Sequence, residues 1–228
     1  MVLAGGRARR LGGADKPMIK IGGWTLACAV ITAAMAAGAE LVVLVGPDRP
    51  GLIDELARIG LAGRVELTSE RPAGGGPVPA LRAGLESLDG ADPELVLLLA
   101  ADLPFLTGEP LGRLVAAVAR PADTVPVDAV PVDAVPVSAV PVGAVPVGAV
   151  AADGTGRAQW LISCWRADAL RAALAGYEGD SLRGLLAPLG AGLVKMTAGP
   201  GESGQPPFWL DCDTPEDLAA ARKWITRQ

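Results

Sequence analysis

Between positions 7 and 16 the chain places Arg7, Arg9, Arg10 and Lys16 in one stretch, with Asp15 as its only acid. Glycine pairs at 5–6 and 12–13 punctuate the same segment, "VLAGGRARRLGGADKP". Like charges crowded into one loop repel unless an anion sits among them. A glycine turn between a strand and a helix exposes backbone N–H groups that cradle phosphate, and arginine or lysine adds charge-assisted donors. The chemistry implied is phosphate binding, with Lys16 and Arg10 as candidate catalytic cations. Two familiar phosphate loops do not fit this segment. No GK[ST] follows a spaced glycine, and the loop lacks the GxGxxG spacing of a dinucleotide fingerprint.

Two acidic features follow. Asp102 closes the most apolar run of the chain, "ELVLLLAAD", and precedes Leu103-Pro104. A carboxylate at the carboxyl end of a parallel strand faces the ligand crevice of an open α/β sheet. Beside a phosphate loop it suits Mg²⁺, which takes one or two carboxylates and shares its other positions with phosphate and water. The late segment "DCDTPED" supplies Asp211 and Asp213, which point to one side of an extended chain. Asp211 is the candidate second metal ligand, with Asp213 as the alternative. Asp213 or Thr214 is equally a candidate cap for a helix starting at Pro215.

The elements that must position these residues alternate along the chain. "MVLAG", "ELVVLVG", "RVELT" and "ELVLLLAADLPF" read as strands, apolar on both faces where a parallel sheet buries them. "TLACAVITAAMAA", ending before Gly38, reads as a helix, as do "GLIDELARIG", "PVPALRAGLESL" and "EPLGRLVAAVAR". A strand at "QWLISCW", helices near 167–175 and 181–188 and a strand near "GLVKM" follow. "FWLDCDTPEDLAAARKW" reads as strand, turn and helix. Such alternation predicts an α/β fold, a doubly wound, mostly parallel sheet with helices on both faces, in one domain over residues 1–228.

Residues 126–150 interrupt the pattern. "PVDAVPVDAVPVSAVPVGAVPVGAV" repeats a five-residue unit five times, with proline at 126, 131, 136, 141 and 146. Each proline removes a ladder donor, so a central strand throughout is excluded, and a helix equally so. The first copy suits an edge strand. Copies two to five are expected to form an excursion without a catalytic role. Removing residues 131–150 would then join Val130 to Ala151 with the local pattern kept.

Composition excludes several functions. The 228 residues are 50% hydrophobic, carry a net charge of −5 and contain no histidine. Acidic balance gives no footprint for nucleic acid. Without histidine there is no Ser-His-Asp triad, Cys-His pair or histidine-ligated metal. Cys28, Cys164 and Cys212 lie far apart and form no CxxC, so they read as small core residues in a reducing, cytoplasmic setting. Residues 24–39 are uncharged but shorter than the ~20 residues of a membrane span. No secretory signal pattern opens the chain.

The "LAGG" pair followed by "RRLGGADKP", the strand ending in Asp-Leu-Pro-Phe-Leu and the late "DCDTPEDL" together resemble the MobA-like NTP transferase family, the molybdenum cofactor guanylyltransferase-like nucleotidyltransferases. The likeness spans nearly the whole chain outside the repeat. It implies the nucleotide-diphospho-sugar-transferase type of Rossmann-like fold. It also implies that Leu3, Ala4, Gly5 and Gly6 bind nucleotide through backbone groups, that Lys16 contacts the phosphates and that Asp102 holds Mg²⁺. "GGGP" at 74–77 resembles the family's second nucleotide loop and puts Gly75 and Gly76 beside the base and ribose. The reaction implied is attack of a substrate phosphate on the α-phosphorus of GTP, with molybdopterin as acceptor, pyrophosphate as leaving group and a homo-oligomer as an option. CTP as donor, or phospholactate or a sugar phosphate as acceptor, is the alternative within the fold. An inactive nucleotide-binding protein is the alternative outside enzymes, and the presence of both Lys16 and Asp102 argues against it. Two departures concern the site. The family often has Asp before the second loop, where this chain has Glu70 and Arg71. Guanylyltransferases often carry Asn at the position of Asp213.

Overall fold

The apolar runs assemble into a seven-stranded sheet in the computed structural model, which describes residues 1–5, 12–119, 146–196 and 206–226. The strands are β1 (Val2–Leu3), β4 (Val42–Val45), β5 (Val65–Thr68), β6 (Leu95–Ala100), β7 (Gly148–Ala152), β8 (Ala158–Arg166) and β9 (Gly192–Lys195). Their order is β5-β4-β1-β6-β8-β7-β9. A small hairpin of β2 (Lys20–Ile21) and β3 (Trp24–Thr25) stands apart from this sheet.

Side chains alternate across the sheet as period-two geometry demands. Val42 and Leu44 of β4 enter one core, with α1 (Leu26–Ala36), α2 (Pro50–Arg58) and α4 (Gly108–Ala119). Val43 and Val45 enter the other, with α3 (Pro77–Ser87), α5 (Ala167–Ala175) and α6 (Leu182–Leu186). This is the doubly wound arrangement expected. The uncharged run 24–39 is largely α1, buried against the sheet and stopped before Gly38, whose φ of +95° suits glycine. Among the described residues no helix is long and apolar enough to cross a membrane.

The sheet is mostly parallel, as expected, with β8 alone running antiparallel to its neighbours β6 and β7. Two expectations need correction. The fifth copy of the repeat is no excursion. Gly148, Ala149 and Val150 form the start of β7, an interior strand paired with β8 on one side and β9 on the other. Pro146 falls just outside the strand, so its missing N–H does not break the ladder. Gly148 lies opposite the fully buried Trp165, and a Cβ added there would sit 2.8 Å from ring atoms Cδ2 and Cζ3. Removing residues 131–150 would therefore bring Asp128 to the place of Gly148, and the local pattern would not be kept. The first copy lies outside the described residues. Finally, residues 208–212 form a turn and irregular chain, not a strand, before α7 (Pro215–Ile225).

The cysteines are core residues. Burial pushes the Cys28 thiol up to about 11, with the nearby Glu55 adding to it. Burial pushes Cys164 and Cys212 up to about 12. At pH 8 each would be thiolate in about one molecule in a thousand or fewer, and the thiolate is the reactive form. The folded protein is expected to give no thiol titre with an aromatic disulfide reagent over minutes. All three should react once denaturant is added. Rapid labelling of any one without denaturant would show that its cover opens.

Candidate active site

The carboxyl ends of β1, β4, β5 and β6 line one edge of the sheet, where parallel strands leave a crevice. β1 sits between β4 and β6, so the chain issuing from it enters the middle of that edge. Leu3 belongs to β1 and packs into the core. The Ala4 amide donates to Val45 O at 2.8 Å, so it is committed to the sheet. Gly5 is the first exposed residue beyond the strand. Gly6 and Arg10 lie outside the described residues.

Lys16 begins a 3₁₀ turn, Lys16–Met18, with Pro17 buried beneath it. Its ammonium donates to both Asp102 Oδ2 and Asp213 Oδ1. Burial by itself would lower the Lys16 pKa. The charges and hydrogen bonds of Asp102 and Asp213 outweigh that effect, and the net shift is upward. Lys16 is therefore a fixed cation at neutral pH. Asp102 lies two residues beyond β6, and its Oδ1 is buried without a hydrogen-bond partner among the described residues.

Asp213 reaches this point from the far end of the sequence. The Cys212 amide donates to Asp102 O at 3.3 Å. Cys212, Leu218 and Ala221 pack with Ile21, Leu26 and Phe105, so α7 sits against the β2–β3 hairpin. Phe105 and Trp224 meet edge to face at 5.3 Å. Residues 105, 212 and 224 thus bring the chain ends following Asp102 and preceding α7 together.

The helix start also resolves which residue caps α7. Thr214 Oγ1 accepts from the Asp217 amide at 3.1 Å, and Asp217 Oδ2 accepts from the Thr214 amide at 2.8 Å. This capping box occupies Thr214 and Asp217. The Asp213 carboxylate is left to face Lys16. Asp211 lies nearby without joining the pair. Burial raises its pKa, and the charges of Asp213 and Asp102 raise it further against the pull of Lys16. Among the described residues, no three histidine, cysteine, aspartate or glutamate side chains converge to hold a metal.

The second glycine loop meets the first through Glu70. Its Oε1 accepts from the Gly74 amide at 3.0 Å and lies 3.3 Å from where a Cβ on Gly5 would stand. Its Oε2 is buried without a partner among the described residues. Gly75 follows, its amide donating to Pro72 O at 3.0 Å, and Gly76 is the N-cap of α3. Sequence reading treats Glu70 only as a departure from a family pattern. It does not single out Arg49, which is buried behind the first loop. Nothing in the local sequence marks Arg49, because Ala4 and Asp15, which accept from it, lie 45 and 34 positions away.

The MobA-like NTP transferase domain family matches residues 1–193. Molybdenum cofactor guanylyltransferase of Bradyrhizobium sp. is 38% identical over 119 residues, 51% of this chain and 53% of that protein. The chain thus matches about half the length of that relative. The protein of the same name from Rhodobacter capsulatus is 29% identical over 223 residues, 97% of this chain and 93% of its own. A nucleotidyl transferase from Methanothermobacter thermautotroptrophicus superposes with a TM-score of 0.67 at 19% identity, covering 99% of this chain and 96% of its own. Molybdopterin-guanine dinucleotide biosynthesis protein A from Archaeoglobus fulgidus gives 0.58 at 18%, covering 100% and 98%. At such identities the two structures speak to the fold.

Proposed function

Because the chain belongs to the MobA-like NTP transferase family, whose members are nucleotidyltransferases, we propose that it transfers GMP from GTP to the phosphate of molybdopterin. The observation that carries this reading is the Lys16 ammonium held between Asp102 and Asp213 at the carboxyl edge of the sheet. An acceptor phosphate oxygen attacks the α-phosphorus in line. The bond from that phosphorus to the bridging oxygen breaks, and pyrophosphate leaves with the electron pair. The nucleophile is already an anion, so no base is required. This suits a chain with no histidine. Most of the rate comes from positioning and charge stabilisation. Lys16 offsets negative charge on the phosphates, and the exposed Gly5 and the Gly76 cap of α3 present loop backbone to the nucleotide.

Mg²⁺ fits the residues present. The unpartnered Asp102 Oδ1 and the half-exposed Asp213 carboxylate are the hard oxygen donors that Mg²⁺ takes while keeping room for phosphate and water. When bound, it supplies further charge neutralisation on the phosphates. Asp102 and Asp213 would hold it, and Asp211 stands close by.

Glu70 does not by itself choose the base: its Oε1 already accepts from the Gly74 amide, and the remaining Oε2 is a single acceptor that an amino N–H of guanine or of cytosine can meet. The test is a pyrophosphate-release assay of the four NTPs against phosphorylated acceptors with Mg²⁺. GTP with molybdopterin should give the fastest release. Preference for CTP, or for a sugar phosphate or phospholactate, would replace the substrate assignment. No release with any pair, alongside tight nucleotide binding, would leave the inactive binder as the reading.

A further inference from the structure

Arg49 is the most buried charged side chain among the ion pairs of the crevice, its partner is the half-exposed Asp15, and the proposed mechanism uses neither. Arg49 is the N-cap residue of α2, and only 5% of its side chain is exposed. Its guanidinium has several acceptors. Nε donates to Asp15 Oδ1 and Oδ2 at 3.0 and 2.9 Å, and Nη2 to Asp15 Oδ1 at 2.8 Å. Nη2 also donates to Ala4 O at 2.9 Å, and Nη1 to Pro47 O at 3.1 Å. Ala4 is the last residue before the first glycine loop, and Asp15 directly precedes Lys16. One side chain therefore ties both ends of the arginine-bearing segment to each other and to the carboxyl end of β4.

We propose that Arg49 is a positioning residue: its guanidinium fixes the span between Ala4 and Asp15, and so sets where Lys16 stands. Three further features fit this role. Asp15 occupies the N-cap position of the Lys16–Met18 turn, yet its side chain makes no capping bond and turns to Arg49 instead. Gly46 lets the strand end come this close, because a Cβ there would lie 2.9 Å from Ala4 O and 3.2 Å from Arg49 Nη1. On the same helix the buried Glu55 accepts from the Thr25 amide at 3.1 Å, so α2 holds the far side of the Lys16 segment too. A planar fork meets a carboxylate and a carbonyl at once, which a lysine ammonium on the same stem does with less reach and no bidentate geometry. The inference rests on the nucleotidyltransferase reading only for what Lys16 does, not for where it stands.

The test uses the full chain and the variants Arg49→Lys, Asp15→Asn and the pair. Amide hydrogen exchange is followed across residues 12–19 and in the sheet, and GTP binding with Mg²⁺ is measured by titration calorimetry. In the native protein the Met18 amide donates to Asp15 O and the Ile19 amide to Lys16 O. Arg49→Lys should speed exchange at these two amides at least tenfold, with β4 and β6 unchanged, and weaken GTP binding about tenfold. The double variant should bind no more weakly than the worse single one, since either substitution already opens the clamp. Unchanged exchange at 18 and 19 in Arg49→Lys overturns the proposal. Faster exchange spread over the whole sheet does so as well, because Arg49 would then be a general brace. Additive losses of GTP affinity in the pair also count against it. Should Arg49→Lys fail to fold, Asp15→Asn carries the exchange test, its side chain being half-exposed. If the unaltered protein binds no GTP, the substrate assignment falls, and exchange at 18 and 19 still decides the clamp.

Discussion

Lys16→Ala is expected to lower kcat/KM for nucleotidyl transfer by about 2–4 kcal/mol, the size of one lost electrostatic donor at a developing charge. That is about thirtyfold to a thousandfold. The argument starts from the site's charge. With Lys16 present, two carboxylates share one ammonium. With alanine there, Asp102 and Asp213 face each other without the Lys16 counter-charge, and an incoming polyphosphate meets net negative charge. The fold should survive, because Asp213 is half-exposed and the pair is partly screened by water. Divalent cation should then matter more than before. Mg²⁺ should raise the melting temperature of Lys16→Ala by more than it raises that of the parent, since the freed carboxylates bind it better. Asp102→Asn is the contrast. It should also cut turnover severely while folding normally, but it should lose the stabilising response to Mg²⁺. Turnover by Lys16→Ala within a few fold of the parent would remove Lys16 from the chemistry. A loss confined to melting temperature would make it a loop-anchoring residue only.

The features legible in sequence are those where one physical demand acts alone. Val42–Val45 reads as a buried strand because all four residues are apolar, and all four are buried. Lys16 and Asp102 stand out because charges beside glycines and after an apolar run have few structural reasons to be there. Features that depend on distant partners stay hidden. The apolar pattern of Ala158–Arg166 contains nothing that says it runs against β6, since strand periodicity carries no direction. Thr214 and Asp213 compete for one cap by sequence, and only the reciprocal bond with Asp217 separates them. "FWLDC" resembles a strand by composition, but Phe208 and Trp209 pack against the main core, Leu210 and Cys212 join the cluster around α7, and the Cys212 amide bonds the Asp102 carbonyl. Arg49 was hidden for the same reason. Apart from the nearby Pro47 carbonyl, its acceptors are Ala4 and Asp15, 45 and 34 positions away.

The repeat sets up the sharpest stability contrast in the molecule. Two deletions of equal length, residues 126–145 and residues 131–150, give products that differ at one position. The first joins Val125 to Pro146 and keeps Gly148 opposite Trp165. The second joins Val130 to Ala151 and puts Asp128 there. Loop closure changes identically in both, at about 0.6 kcal/mol per doubling of length, so it cancels in the comparison. The position itself does not forgive a side chain. Trp165 is fully buried, and its Nε1 donates to Ser163 Oγ at 2.8 Å, while Ser163 Oγ donates to Trp160 O at 2.8 Å. The indole therefore cannot swing away without breaking that chain of bonds. Overpacking alone costs about 1–3 kcal/mol, and a buried unpaired carboxylate adds to it. The 126–145 deletion should fold, melt within a few degrees of the parent and retain turnover. The 131–150 deletion should be weaker by about 3 kcal/mol or more, a drop of about 6–12 °C in melting temperature for a chain of this size. Gly148→Ala in the intact chain should fall between them. Scanning calorimetry of the three variants decides the matter. If the two deletions melt within two degrees or so of each other, the Gly148–Trp165 contact is not what selects the fifth copy as the strand. In that case one of the earlier copies takes its place equally well.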